Sequence, residues 1–124
     1  AVTPLTDQTK NMFDGDAFAA MKPSARFVNV GRGELVVTDD LVAALRSQTI
    51  AGAALDVFDT EPLPADHPLW TMENVLISPH MSGDVVGWRR ELVGVFADNF
   101  RRWRAGQELR NVVDKQLGYV PSGS

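Results

Sequence analysis

The sequence contains no cysteine. Disulfide scaffolds, thiolate zinc sites, iron–sulfur clusters and cysteine nucleophiles are therefore excluded. It has no long apolar run either. Nothing approaches the ~18 consecutive apolar residues of a membrane span, so no transmembrane helix is expected. Basic residues are in deficit, 12 Lys and Arg against 16 Asp and Glu, for a net charge of -4. A nucleic-acid binder needs a basic face that this balance does not supply. The opening Ala1-Val2-Thr3-Pro4 has neither the positive n-region nor the apolar h-region of a secretion signal, so a cytoplasmic location is the expectation. Internal repeats and low-complexity tracts are absent, and no metal-ligand constellation stands out. What is there is a composition typical of soluble chains, 44% hydrophobic and 23% charged over 124 residues, long enough for one domain with a core.

The order of elements reads as α/β. Residues 1–12 form a loop with Pro4 and scattered threonines. Asp14 is a candidate N-cap for a short helix ending near Lys22, ahead of Pro23, with Phe13 and Phe18 placed for a hydrophobic staple. Residues 25–30 predict a strand, broken by Gly31-Arg32-Gly33. Thr38 or Asp39 is expected to cap a second helix with Leu41, Val42, Ala44 and Leu45 on its apolar stripe. Residues 50–57 are small and apolar, the pattern of a parallel strand buried on both faces. The run 25–57 then makes one βαβ unit.

Pro62, Pro64 and Pro68 argue against a helix in the following loop. Val75-Leu76-Ile77 within 74–78 predicts a third strand, closed by Pro79. The longest helix is expected over 86–104, capped by Ser82 or Asp84 and stopped by Gly106. Its Trp88, Leu92, Phe96, Phe100 and Trp103 share a face, and Arg101, Arg102 and Arg104 suit the negative end of the helix dipole. The aromatic face asks for an apolar partner surface. The segment Pro121-Ser122-Gly123-Ser124 is expected to fray.

Ligands of open parallel sheets bind beyond the carboxyl ends of the strands. Just past the three predicted strands stand Arg32, then Asp56 and Glu61, then His80. Arginine can hold a carboxylate with two parallel N–H bonds, histidine can exchange a proton near neutral pH, and a carboxylate beside a histidine orients the ring and favours its charged form. Taken singly, Arg32 reads as an exposed turn residue, Glu61 as a loop acid and His80 as a structural strand-end histidine. Asp56 ends an apolar strand, where a site role and a structural hydrogen bond are equally open. His67 in Asp66-His67-Pro68 reads as loop surface. Gly31 and Gly33 serve a tight turn or a close approach, and without a Gly-x-Gly-x-x-Gly they say nothing about phosphates.

In sequence, Met21-Lys22-Pro23-Ser24-Ala25 and Val28-Asn29-Val30-Gly31-Arg32-Gly33, then Ala51-Gly52-Ala53-Ala54-Leu55-Asp56-Val57-Phe58 with Glu61-Pro62-Leu63, then Asn74-Val75-Leu76-Ile77-Ser78-Pro79-His80 resemble the motifs of the D-isomer-specific 2-hydroxyacid dehydrogenases. Pro4-Leu5-Thr6 with Thr9 is similar to that family's loop near the cofactor. The resemblance runs in order from residue 4 to about residue 83, and the later helix with Asn111-Val112-Val113 is compatible with the family's C-terminal segment. It implies a partial Rossmann-like parallel sheet. Residues 1–83 would be the second half of a dinucleotide-binding domain, and 84–124 a C-terminal helix and tail returning toward a substrate domain.

The family's glycine fingerprint, the residue that selects NAD or NADP, and most of the substrate domain lie outside these 124 residues. The chain therefore reads as a fragment, expected to be inactive alone. The resemblance further implies hydride transfer between NAD or NADP and a D-2-hydroxy or 2-oxo acid, in a homodimer that binds neither nucleic acid nor membrane. Arg32 would hold the substrate, His80 would be the general acid, Glu61 its carboxylate partner, and Asp56 the contact to the nicotinamide carboxamide. Pro4, Thr6, Val30, Gly31 and Gly83 would complete the cofactor contacts. The alternative on the same fold is a corepressor-like protein that senses the nicotinamide pool.

Overall fold

The computed structural model describes residues 1–121. The chain divides into two compact units, Ala1–Ser82 and a second beginning at Gly83.

The first unit carries α1 (Gly15–Ala19), β1 (Arg26–Asn29), α2 (Thr38–Arg46), β2 (Gly52–Leu55) and β3 (Val75–Ile77), with short 3-10 turns at Gly33–Leu35 and Pro68–Thr71. The strands form one parallel sheet in the order β1-β2-β3. Asn29 stands opposite Leu55, and Leu55 opposite Ile77, so all three strands end at one edge. Beside β1, the Ala1 amino group donates to Val28 O (2.5 Å) and Val30 N donates to Ala1 O (3.1 Å), which continues the pairing outward by one residue.

Asp14 caps α1 as the sequence predicts: its Oδ1 accepts from Ala17 N at 3.0 Å. The helix is shorter than predicted and ends at Ala19 rather than near Lys22. Phe13 and Phe18 both pack on Phe27, with ring centroids 4.9 and 5.4 Å away. The N-cap of α2 is Val37, with no side-chain hydrogen bond, rather than Thr38 or Asp39. Val37 N is tied instead to Phe13 O at 3.0 Å, and Asp40 Oδ2 accepts from Gly15 N at 2.8 Å, which joins the starts of the two helices. Leu41, Val42, Ala44 and Leu45 are buried as expected, with Phe18, Phe27, Leu35, Ile50, Ala53 and Leu55. The proline-rich loop does contain a helical turn, Pro68–Thr71. Proline is tolerated at a first helical position because that N–H has no intrahelical partner anyway.

The expectation that β2 is buried on both faces holds at Gly52, Ala53 and Leu55 and weakens at Ala54, which is half-buried. One face of the sheet, with Phe27, Ala53 and Leu55, is core, but Val28 is 47% and Leu76 74% exposed, with half-buried Ala54 between them in register. Small apolar residues give the same pattern whether a covering layer is present or not.

In the second unit α3 spans Trp88–Arg104. Its N-cap is Gly87 at φ 88°, not Ser82 or Asp84, a conformation that glycine adopts without a Cβ penalty. Its end follows the expectation at Gly106 (φ 66°): Gly106 N donates to Trp103 O and Gln107 N to Arg102 O, a Schellman closure. Phe96 stacks near Phe100 and Phe100 near Trp103 on a face where Leu92, Phe96 and Trp103 stay exposed among the described residues. Asp98 is held below the usual carboxylate range chiefly by its hydrogen bond from Arg102. Residues 122–124, and with them most of the predicted frayed tail, lie outside the described residues.

Gly33 shows how tightly the site edge is packed. A Cβ there would sit 1.8 Å from the Phe58 carbonyl carbon, main-chain material that cannot rotate away. Gly33→Ala is expected to lower the denaturation midpoint by the equivalent of about 1–3 kcal/mol or more, the cost of forced overpacking. Urea titration checks this, with the slope unchanged if only the folded state is affected.

Candidate active site

Three chain segments leave the common strand edge, and a polar side chain fixes each. After β1, Asn29 turns its amide back over the loop. Its Oδ1 accepts from Gly31 N at 3.0 Å and its Nδ2 donates to Arg32 O at 2.9 Å. Arg32 itself is exposed, and its Nη1 donates to Gly31 O at 2.7 Å.

After β2 comes Asp56, 2% exposed. Its main-chain N donates to Asn29 O and its O accepts from His80 N at 2.9 Å. Its carboxylate accepts from the Ser78 hydroxyl and, at 2.9 Å, from Met81 N on Oδ1, and from Ser82 N at 2.8 Å on Oδ2. Burial opposes its ionisation, but the hydrogen bonds from Ser78, Met81 and Ser82 outweigh it and hold the carboxyl well below the usual range.

After β3 the chain reaches His80 with φ 52°, in the left-handed region. His80 Nδ1 lies 2.8 Å from Glu61 Oε2, and Glu61 Oε1 accepts from Phe58 N at 2.9 Å. That histidine hydrogen bond, then the Phe58 N–H, lower the Glu61 pKa, and the charges of His80 and Arg32 add to it against a desolvation cost. The pair is open to solvent, His80 at 49% and Glu61 at 36% exposure. An open cavity of about 620 Å³ adjoins it, lined by Asp56, Phe58, Pro62, Trp70 and Ile77 as well as the pair.

The structure thus brings Arg32, Asp56, Glu61 and His80 to one strand edge. The other expected residues are placed variously. Thr6 belongs to a turn in which Thr9 Oγ1 donates to Pro4 O (2.7 Å) and accepts from Thr6 N (2.8 Å). Val30 is 38% exposed beyond β1, and Gly31 is buried, its missing Cβ facing Leu35 and the main-chain oxygen of Thr3. Gly83 belongs to the second unit, exposed and with open space where a Cβ would stand. His67 caps the Pro68–Thr71 turn, accepting from Leu69 N at 3.3 Å, and lines a separate cavity of about 450 Å³ with Glu34, Asp39 and Asp59. Three residues that shape this edge are not among the site candidates of the sequence: Asn29, Ser78 and Ser82, the last expected there only as a helix cap. An asparagine closing an apolar strand was the available signal, since a buried amide there must find partners. The two serines carry no comparable sign.

This arrangement can bind an anionic group through arginine and donate a proton from an imidazole oriented by a carboxylate. The sequence and the fold are similar to those of known proteins. A family model described as D-isomer specific 2-hydroxyacid dehydrogenase, NAD binding domain, matches residues 1–82. The chain is 48% identical over 118 residues to an uncharacterized protein in the proB 3' region of Corynebacterium melassecola, covering 95% of this chain and 39% of that one. It is 41% identical over 116 residues to glyoxylate/hydroxypyruvate reductase B of Shigella boydii serotype 4, covering 94% and 36%. It therefore spans under two-fifths of the length of these relatives.

Among solved structures, a D-isomer specific 2-hydroxyacid dehydrogenase from Xanthobacter autotrophicus Py2, in complex with NADPH and MES, superposes with a TM-score of 0.86 at 42% identity, covering 95% of this chain and 48% of that one. An NADPH-dependent glyoxylate/hydroxypyruvate reductase from Sinorhizobium meliloti, in complex with NADP and sulfate, gives 0.87 at 34%, covering 95% and 38%. The match of that family model over residues 1–82, the span of the first unit, shows that this chain belongs to the family of D-isomer specific 2-hydroxyacid dehydrogenases.

Proposed function

We propose that the chain supplies the nicotinamide-side half of an enzyme that transfers hydride between NAD(H) or NADP(H) and a short 2-oxo or 2-hydroxy acid of the D series. The observation that carries this reading is the His80–Glu61 pair at 2.8 Å, exposed at a parallel strand edge within reach of the Arg32 charge. The glyoxylate/hydroxypyruvate reductases among the similar proteins suggest the size of the acid. The corepressor-like alternative gains no support from the comparisons.

The donor set fits a nicotinamide. The Asp56 carboxylate offers about four lone-pair sites to its donors from Ser78, Met81 and Ser82, so it retains acceptor capacity for an amide N–H. In the first unit, Pro4, Thr6, Val30, Gly31 and Asp56 are the residues that would hold the cofactor. When bound, it supplies the hydride that reduces the carbonyl carbon.

The chain's own residues do the rest. Arg32 grips the substrate carboxylate, a planar fork on a planar anion, and fixes the carbonyl. His80 keeps Nδ1–H on Glu61, which leaves Nε2 as the donor of a proton to the carbonyl oxygen as negative charge develops there. In the oxidation direction the same nitrogen takes the proton from the hydroxyl. Glu61, held ionised by its hydrogen bonds, orients the His80 ring and fixes its tautomer.

Loss of His80 is expected to cost about 10²–10⁴-fold in kcat, the usual contribution of a positioned general acid. Oxidation of NADH or NADPH by the full-length protein with a panel of oxoacids measures it, and unchanged turnover in His80→Ala would refute the assignment. Arg32→Ala is expected to act mainly on KM, by roughly 10²-fold for a lost charge-assisted contact. Glu61→Gln removes the carboxylate that orients the His80 ring. It should lower kcat for reduction by part of the roughly 10²–10⁴-fold that a positioned general acid contributes. An unchanged kcat would mean Glu61 does not act through His80.

A further inference from the structure

Asn29 is 1% exposed, and no role has been assigned to it. We propose that Asn29 is a positioning residue for Arg32, the side chain that templates the Gly31-Arg32-Gly33 turn and so sets where the guanidinium meets the substrate carboxylate. This rests on the role of Arg32 proposed above.

The geometry is a two-point clamp. One amide side chain takes the N–H of Gly31 (3.0 Å) and gives an N–H to the carbonyl of Arg32 (2.9 Å), so the peptide unit that enters the turn at Gly31 and the one that leaves it after Arg32 are both held by it. Only a primary amide offers an acceptor and a donor in that arrangement; a carboxylate offers two acceptors and a leucine neither. The amide is itself fixed, because Asn29 is the last residue of β1, pairs with Leu55 and accepts from Asp56 N at 3.0 Å through its main-chain oxygen.

The far end of the turn is fixed by contact, with Gly33 packed against the Phe58 main chain. Arg32 lies extended between these two anchors, at φ -139° and ψ 146°. Its Nη1 folds onto Gly31 O at 2.7 Å, an acceptor that belongs to the clamped turn. The guanidinium therefore inherits its direction from Asn29 twice, through its own Cα and through the carbonyl that Nη1 uses. The remaining donors of the fork stay available for a ligand.

An arginine that binds by a bidentate fork is sensitive to such placement. A shift of ~1 Å in a positioning group costs on the order of 10²-fold in rate. Asn29→Ala in the full-length enzyme is expected to lower kcat/KM by that order, chiefly through KM for the oxoacid, while KM for the nicotinamide cofactor changes little. In the Arg32→Ala background the same substitution should change kcat/KM by no more than about twofold, because two residues acting through one contact do not add. Asn29→Asp, which keeps the acceptor for Gly31 N and places an oxygen against Arg32 O, serves as a second variant and should behave alike. An equal loss in both backgrounds overturns the proposal, since a general structural role does not depend on Arg32.

Amide exchange separates this from the function itself. Exchange at Gly31 should quicken in Asn29→Ala, which removes its acceptor, while Met81 and Ser82 stay protected, and unchanged exchange at Gly31 in that variant overturns the clamp whatever the activity. A wild-type enzyme inactive on every oxoacid overturns the proposed function, and with it the role toward Arg32, even where the clamp is seen.

Discussion

The edge of the sheet depends on one buried carboxylate. Asp56 is 2% exposed, and its ionised form survives burial only because Ser78, Met81 and Ser82 all donate to it. Two terms compete here. An ion withdrawn from water without partners loses several kcal/mol even after relaxation. Hydrogen bonds to a charged acceptor are the stronger kind, and three of them here decide the sign. The donors come from the segment that leaves β3, so the charge of one strand end folds the loop of the next. Asp56 N on Asn29 O carries the connection on to the loop after β1. A local rule about burying charge thus becomes a constraint on where Arg32 and His80 stand.

The groups proposed to react are arranged differently. Glu61 and His80 are bonded to each other at 2.8 Å but remain 36% and 49% exposed. Exposed ion pairs contribute little to stability, with a median of about 0–1 kcal/mol. The pair is therefore poorly explained as a device for holding the fold, whereas Asp56 is well explained that way. Buried polar groups set geometry, and solvent-facing ones are left free to exchange protons. The division follows burial and not residue type, since both are carboxylates beside the same histidine segment.

The sequence disclosed the order of elements because apolar periodicity and turn residues are local properties. β1, β2 and β3 lie inside the predicted strands, and Asp14 and Gly106 act where their chemistry suggested. The candidate residues Arg32, Asp56, Glu61 and His80 were legible because parallel strands must end together. What escaped depends on the path of the chain. Gly87 starts α3 through a positive φ that no neighbouring residue announces, so the polar Ser82 and Asp84 were the natural choices. The open face marked by Val28 and Leu76 looks like buried strand in one dimension, because side-chain type does not record whether a covering layer is present. Asn29 is illegible in sequence for a related reason: its value lies in two hydrogen bonds to nearby residues that only the path of the turn brings within reach.

His80 shows what this scaffold has to hold. At φ 52° its main chain sits where an L-residue other than glycine is disfavoured by roughly 1–2 kcal/mol. Such a conformation persists only where its surroundings over-determine it. Here they do: His80 N is bonded to Asp56 O, and the next two amides, Met81 N and Ser82 N, end on the Asp56 carboxylate. Three consecutive N–H groups thus converge on one residue, and a right-handed turn at His80 would have to redirect them. The left-handed kink also sets the direction in which the ring leaves the chain, toward Glu61 across the loop. Glycine would relieve the strain at that position but would carry no imidazole. The cost is therefore inherent in placing a histidine there, and the buried carboxylate is the element that offsets it.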